Sequence, residues 1–234
     1  MHCIRLSVST TTPIATMTRT TWLWLILGAL YLAFFSWYTA FGGPLTDEEI
    51  EYYLDRYTSA DADPEGLAVL RRFMEEDTGD DFVMLNVIDM YEVPEQIEGV
   101  APGETSAEVL GKYMAYMYPA LFSRACHPVA AGTAANVAMD LMNAPGMERW
   151  TTGALMRYRS RRDLVEIATN PAFRGAHDFK IAAMRKTIAF PLDPWFHFGD
   201  PRLLLALLLG ALGFGLSWRF ASRQVAGDAA GPAA

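Results

Sequence analysis

Cysteine is nearly absent. Only Cys3 and Cys126 occur, so no disulfide framework can be built from this chain. Histidine is also scarce, with four residues at no metal-ligand spacing. There is no CxxC pair, no glycine-rich phosphate loop and no Ser/His/Asp set, which removes the commonest sequence signatures of redox, nucleotide and hydrolytic chemistry. Nothing calls for a metal or a cofactor. Basic residues are outnumbered, with 19 Lys and Arg against 27 Asp and Glu, and no basic stripe suggests nucleic acid as a partner.

Charge is distributed unevenly. Gly42 to Glu108 holds 19 carboxylates against three arginines, a net charge of −16. Val109 to Arg202 holds 12 basic and seven acidic residues, a net charge of +5. The acidic stretch reads either as a solvated helical face or as an arm that docks on the basic half.

Two runs have no charge. Trp22–Phe41 is long enough to cross about 30 Å of hydrocarbon, and Leu203–Trp218 is shorter, with Arg202 and Arg219 placed to snorkel. The first run reads as a retained anchor in preference to a cleaved signal, because Trp37-Tyr38 stands where small residues would be cut. These aromatics suit the membrane interface. Arg19 precedes the first run, Asp47, Glu48 and Glu49 follow it, and Arg219 and Arg223 follow the second. That bias predicts a plasma (inner) membrane protein of two spans, with both termini cytoplasmic and the central region outside. The lipid bilayer is then a partner, and Cys3 and Cys126 lie on opposite sides of it. Ala206/Gly210 and Ala211/Gly215 are small-residue pairs that could meet Ala29 and Ala33 of the first span.

Residues 1–21 read as a disordered tail, with the true start at Met1 or Met17, and residues 219–234 as a second tail. Between the spans, Thr46-Asp-Glu-Glu49 is a capping box, and Asp63-Pro64 is an N-cap followed by proline at the first helical position. They open the two helices of an acidic arm over 45–78. Phe82–Tyr91 is apolar on both faces and reads as a central strand. Ser106 opens a helix reaching about Arg124. A small-residue strand follows over 128–140, then a turn at Asn143-Ala-Pro-Gly146 and a strand over 151–159. Ser160-Arg-Arg-Asp163 begins a helix over 160–186, restarted at Asn170-Pro171, and a short strand at 187–190 is stopped by Pro191.

The fold class is therefore α+β: a ferredoxin-like βαββαβ domain over 81–192, preceded by a two-helix arm and flanked by N- and C-terminal transmembrane helices at 22–41 and 203–218. Helices cover one sheet face only. The other needs a cover, which predicts a homodimer.

The strand FVMLNVIDMY, the segment MRYRSRRDLVEIATNPAF and the ending HDFKIAAMRKTIAF resemble the dimeric α/β-barrel superfamily, within it an uncharacterised group of small ferredoxin-like domains. The resemblance covers Asp81 to Pro191. It implies a dimeric α/β barrel with ligands held between helices and sheet or inside the barrel. Members of the superfamily include cofactor-free monooxygenases, muconolactone-isomerase-like enzymes and haem-binding proteins.

Alternation predicts that Asn86 and Arg157 point into the barrel together, where they could hold a carboxylate or enolate-like oxygen, or satisfy each other. Tyr113 is a helix-packing residue or a ligand-stacking wall, and His127 beside Cys126 is a further candidate. His177 reads as a partly buried, hydrogen-bonded histidine. The arginines at 157, 159, 161 and 162 form a basic cluster that either meets the acidic arm or binds an anion at the Ser160 helix start. The leading reading is a binding or interaction module, and a structural accessory subunit of a membrane complex is a third possibility. The alternative is a monooxygenase-like or isomerase-like enzyme, or a small-molecule-binding protein, using the barrel cavity.

Overall fold

A computed structural model describes residues 17–58, 63–195 and 197–229. The expected disordered tail up to residue 16, with Cys3, and the C-terminal tail beyond 229 lie outside the described residues. The chain forms two compact units. One holds the chain up to Phe34 together with the segment from Pro201 onward, and the other spans Phe35–Asp200.

The first unit pairs α1 (Arg19–Tyr38, up to Phe34) with α7 (Pro201–Ala229). Both helices are long and apolar enough to cross a membrane. α1 starts three residues before the uncharged run, because Thr18 Oγ1 accepts the Thr21 amide and opens the helix there. The close approach between the helices falls at Gly213 and not at the small-residue pairs expected to mediate it. A Cβ on Gly213 would lie 2.6 Å from the Trp24 ring, whereas Gly210 and Gly215 face nothing within 4 Å. Trp24 also meets Phe214 edge-on at 5.1 Å, so one large indole fills the space that small residues on both helices would have closed.

The second unit contains α2 (Asp47–Thr58), α3 (Pro64–Glu75), β1 (Phe82–Met90), α4 (Ser106–Phe122), β2 (His127–Thr133), β3 (Thr152–Tyr158), α5 (Arg161–Ala168), α6 (Pro171–Ala183) and β4 (Met184–Leu192). The four strands form one sheet in the order β2-β3-β1-β4, with every neighbouring pair antiparallel. With the helices between β1 and β2 and between β3 and β4, this is the ferredoxin-like topology. The doubly apolar β1 is an inner strand.

Local chemistry sets most boundaries. Thr46 and Glu49 exchange backbone and side-chain bonds at the start of α2. Asp63, Ser160 and Asn170 each accept an amide at a helix start. The cap of α4 is Thr105 and not Ser106, because Thr105 stands three residues before Glu108 and closes a capping box with it, while Ser106 Oγ donates to the Tyr91 carbonyl. β2 ends at Thr133, well short of 140; beyond it isolated backbone bonds, Ala134 to the Thr151 carbonyl and Ala138 to the Glu148 carbonyl, continue toward the turn. β4 begins at Met184 and runs through Pro191. As an edge strand it tolerates a residue without an N–H, as β2 tolerates Pro128.

The main core lies between the helices and one sheet face. Phe82 and Tyr158, paired in register, stack at 5.3 Å beneath Tyr113, Met117 and Leu121 of α4 and Ile167 of α5. The arm is amphipathic: Asp47, Glu48, Glu51, Asp55 and Glu65 form the solvated acidic face, while the other side docks on the domain. Leu45, Ile50, Tyr53, Leu54 and Met74 bury themselves against Val165 of α5, and Glu49 pairs with Arg162.

Asp77 fastens the return of the arm: its carboxylate accepts the amides of Leu45 and Gly79. Gly79 has a φ of +83°, and a Cβ there would lie 2.6 Å from the Gly43 carbonyl carbon. Gly103 shares the positive φ, at +87°, but faces nothing within 4 Å. Gly103→Ala should show the backbone strain alone, about 1 kcal/mol, and Gly79→Ala about 2–3 kcal/mol, because strain and clash add. Thermal unfolding of the two variants checks the order.

Candidate functional site

The sequence RYRSRR (Arg157–Arg162) leaves β3 and enters α5. Strand alternation turns Tyr158 into the core, and Arg157 and Arg159 to the opposite side. All four arginines of this run donate to backbone carbonyls of the segment that precedes β1.

Arg157 is the deepest, with 1% of its surface exposed. Its Nε donates to Asp81 Oδ2 at 2.8 Å, its Nη1 to the Ala125 carbonyl at 2.9 Å and its Nη2 to the Tyr38 carbonyl at 3.0 Å. The guanidinium carbon lies 3.7 Å from the centre of the Tyr38 ring. Ala125 has a φ of +56°, in the left-handed region, and ends the turn that follows α4. Arg159 Nη1 donates to the Trp37 carbonyl at 3.1 Å, and its other nitrogens grip Asp163. The last carbonyls of a helix have no partner within it, so Arg157 and Arg159 cap α1 from far along the chain. Their positive charge also opposes the negative end of the helix dipole. Arg162 donates to the Gly43 and Pro44 carbonyls and chelates Glu49, and Arg161 reaches the Phe73 carbonyl and lies over the Phe73 ring.

The charges respond. The Arg162 guanidinium pulls the Glu49 carboxyl down to about 2, far below its ordinary 4.5. Burial pushes the Cys126 thiol up to about 11, which leaves it unreactive at neutral pH. A cavity of about 600 Å³ opens beside the cluster, between Ser36–Gly42 and the start of α5, with Arg124, Arg159, Arg162 and Glu166 in its walls.

Of the five candidate residues, four form two pairs and Asn86 stands apart. Asn86 and Arg157 do not converge. Asn86 is in register with Ala154 and Arg157 with Val83, and 154 and 157 differ by an odd number, so the two side chains leave opposite faces. Tyr158 and Phe82 take the helix side, which sends Asn86 there too, where its amide donates to the Met84 carbonyl. His127 joins Arg157: its Nε2 lies 2.6 Å from the Tyr38 hydroxyl. Tyr113 and His177 form the other group, between α4 and α6, with rings 6.3 Å apart and both against Phe173. His177 makes ring contacts and no hydrogen bond among the described residues. Burial, reinforced by Lys180, lowers its pKa. Burial pushes the Tyr113 hydroxyl up to about 12 and lowers the Lys180 amine, whose Nζ lies 5.9 Å from the Tyr113 ring centre. The spacing of Lys180 three residues after His177 was the available signal for it. Nothing in the sequence ties Tyr38 to Arg157, 119 residues later.

The fold and this geometry define an α+β protein of ferredoxin-like topology. Among solved structures it is similar to a protein of unknown function from Rhodopseudomonas palustris, with 23% identity, 58% of this chain and 97% of that one covered, and a TM-score of 0.46. A methylated form of that protein gives 23% identity, 60% and 97% coverage and a TM-score of 0.47. A dimeric protein of unknown function and ferredoxin-like fold from Bacteroides fragilis gives 15% identity, 49% and 96% coverage and a TM-score of 0.29. No protein-family model and no curated protein matches the chain.

Arg157→Ala removes a buried cation from Asp81 and a donor from two buried carbonyls. It should cost about 3 kcal/mol and lower Tm by about 6–12 °C, and an unchanged Tm would remove Arg157 from the account. Glu49 binds its proton near 4.5 when unfolded and near 2 when folded. The unfolded chain therefore holds more protons in that window, and the contribution of Glu49, complete above pH 4.5, disappears as pH falls toward 2. Arg162→Ala should flatten the stability profile over that window in acid titrations followed by circular dichroism.

Proposed function

We propose that this chain is a membrane-anchored binding or interaction module. α1 and α7 span the plasma (inner) membrane with both termini in the cytoplasm. The domain over 81–192 is presented outside as a homodimer, and the arm over 45–78 braces it. The arginine cap on the end of α1 carries this reading: the last turn of an apolar helix and the sheet share one buried network, which suits a domain held by its anchor more than one tethered by a linker.

Two further features support it. Trp37 and Phe41 at one apolar end, and Trp195 and Phe198 before the other, are exposed, as interfacial aromatics are. The sheet face away from the helices carries the half-buried Leu85, Val87, Leu155 and Ile188 and the exposed Phe190, an apolar surface that a second copy would cover. An accessory role within a larger membrane complex is one version of this module.

The alternative is an enzyme or small-molecule-binding protein of the monooxygenase-like or isomerase-like kind. Its support is the group of Tyr113, His177 and Lys180 between the helices, where Lys180 has no ion-pair partner among the described residues. The pairing of Asn86 with Arg157 no longer contributes to it.

A carbonate wash of membranes from expressing cells tests the anchor, and recovery in the pellet is expected. A C-terminal green fluorescent protein fusion should fluoresce, as it does in the cytoplasm. Leu155→Glu should convert a dimer to a monomer by light scattering in detergent. A chain released by carbonate, or a wild-type monomer, would contradict the corresponding part of the proposal.

A further inference from the structure

The cavity beside the arginine cap has a composition that the cap does not explain. One wall, Ser36–Gly42, continues the end of the uncharged run, and the other is the first turn and a half of α5 with the end of α4. Three guanidinium groups reach it, yet each already faces a carboxylate: Arg159 faces Asp163, Arg162 faces Glu49 and Arg124 faces Glu166. The site is therefore charge-balanced, which disfavours a bare anion.

Two atoms of the Arg124–Glu166 pair in its wall have no protein partner among the described residues. Arg124 donates through Nε to Glu166 Oε2 and through Nη1 to the Ala120 carbonyl, which leaves Nη2. Glu166 accepts only at Oε2, which leaves Oε1. The side chains of Arg124 and Glu166 are 29% and 39% exposed, so a ligand can reach them. One cationic donor and one anionic acceptor on paired side chains match a group that carries both a phosphate and a primary ammonium.

We propose that this cavity binds the headgroup of phosphatidylethanolamine. The inference rests on the membrane reading above, because the end of a span lies at the depth of the headgroups. Phosphate oxygens accept from Arg124 Nη2. The ammonium donates to Glu166 Oε1. A choline headgroup keeps the phosphate bonds but has no N–H to give to Glu166.

The test is native mass spectrometry of the full chain in detergent with equimolar phosphatidylethanolamine, phosphatidylcholine and phosphatidylglycerol of matched acyl chains. Phosphatidylethanolamine should be retained about tenfold over phosphatidylcholine, the equivalent of one charge-assisted hydrogen bond. Glu166→Gln should erase that preference, while Arg124→Gln should weaken retention of all three lipids several-fold, each variant keeping the wild-type circular dichroism spectrum. Equal retention of the two lipids, or a preference that survives Glu166→Gln, would overturn the proposal. Soluble glycerophosphoethanolamine binding as tightly as the lipid would overturn the lipid source. A chain that stays in the carbonate pellet yet shows no preference overturns this site alone, whereas a chain that washes off overturns the membrane reading.

Discussion

A guanidinium cut off from water must find a partner for its charge and for its donors, or the fold that buries it will not persist. Arg157 finds them in three other parts of the chain. Asp81 lies just before β1, Ala125 just after α4, Tyr38 in the last turn of α1, and the arginine itself is in β3. One side chain thus fixes the start of the central strand, the turn that leads to the edge strand and the end of the first apolar helix against each other. The left-handed backbone of Ala125 is a cost accepted at that junction, and the carbonyl it presents is one that Arg157 uses.

The neighbouring arginines extend the same logic outward with falling burial. Arg159 caps the preceding carbonyl of α1 and is held by Asp163, itself held by the Ser160 cap of α5. Arg162 carries the pattern to Gly43, Pro44 and Glu49, where the arm begins. Carbonyls at helix ends and in the loops between elements are thereby satisfied by a single six-residue sequence. The charge asymmetry between the two halves of the chain finds part of its use here: carboxylates of the acidic stretch, Glu49, Asp77 and Asp81, answer arginines of the basic one.

Much of the fold was legible because it is written locally. Capping boxes and N-caps lie within four residues of each other, and the doubly apolar β1 could only be an inner strand. The βαββαβ order, with its antiparallel sheet, followed from those elements. The candidate site was less legible. Alternation showed that Asn86 and Arg157 each left a face, but not which face of β3 lay opposite which face of β1, since register depends on pairings 64 to 76 residues apart. Arg157 was visible as an unusual residue in an apolar strand. Its partners were not, because Tyr38 reads as an interfacial aromatic and contributes chiefly its backbone carbonyl and the face of its ring. The closeness of Tyr113 to His177 also depends on how α4 lies against α6, which spacing along one helix cannot report.

The bond between Arg157 and Tyr38 is the joint on which this account turns, and a double-mutant cycle measures it. Unfolding free energies of the wild type, Tyr38→Leu, Arg157→Ala and the double variant, taken in the same detergent, give the coupling directly. A coupling of about 1–2 kcal/mol is expected for a desolvated cation over an aromatic face. Additivity within about 0.3 kcal/mol would mean that the ring of Tyr38 takes no part in holding this arginine, and the account of the ring face as half of the joint would fall.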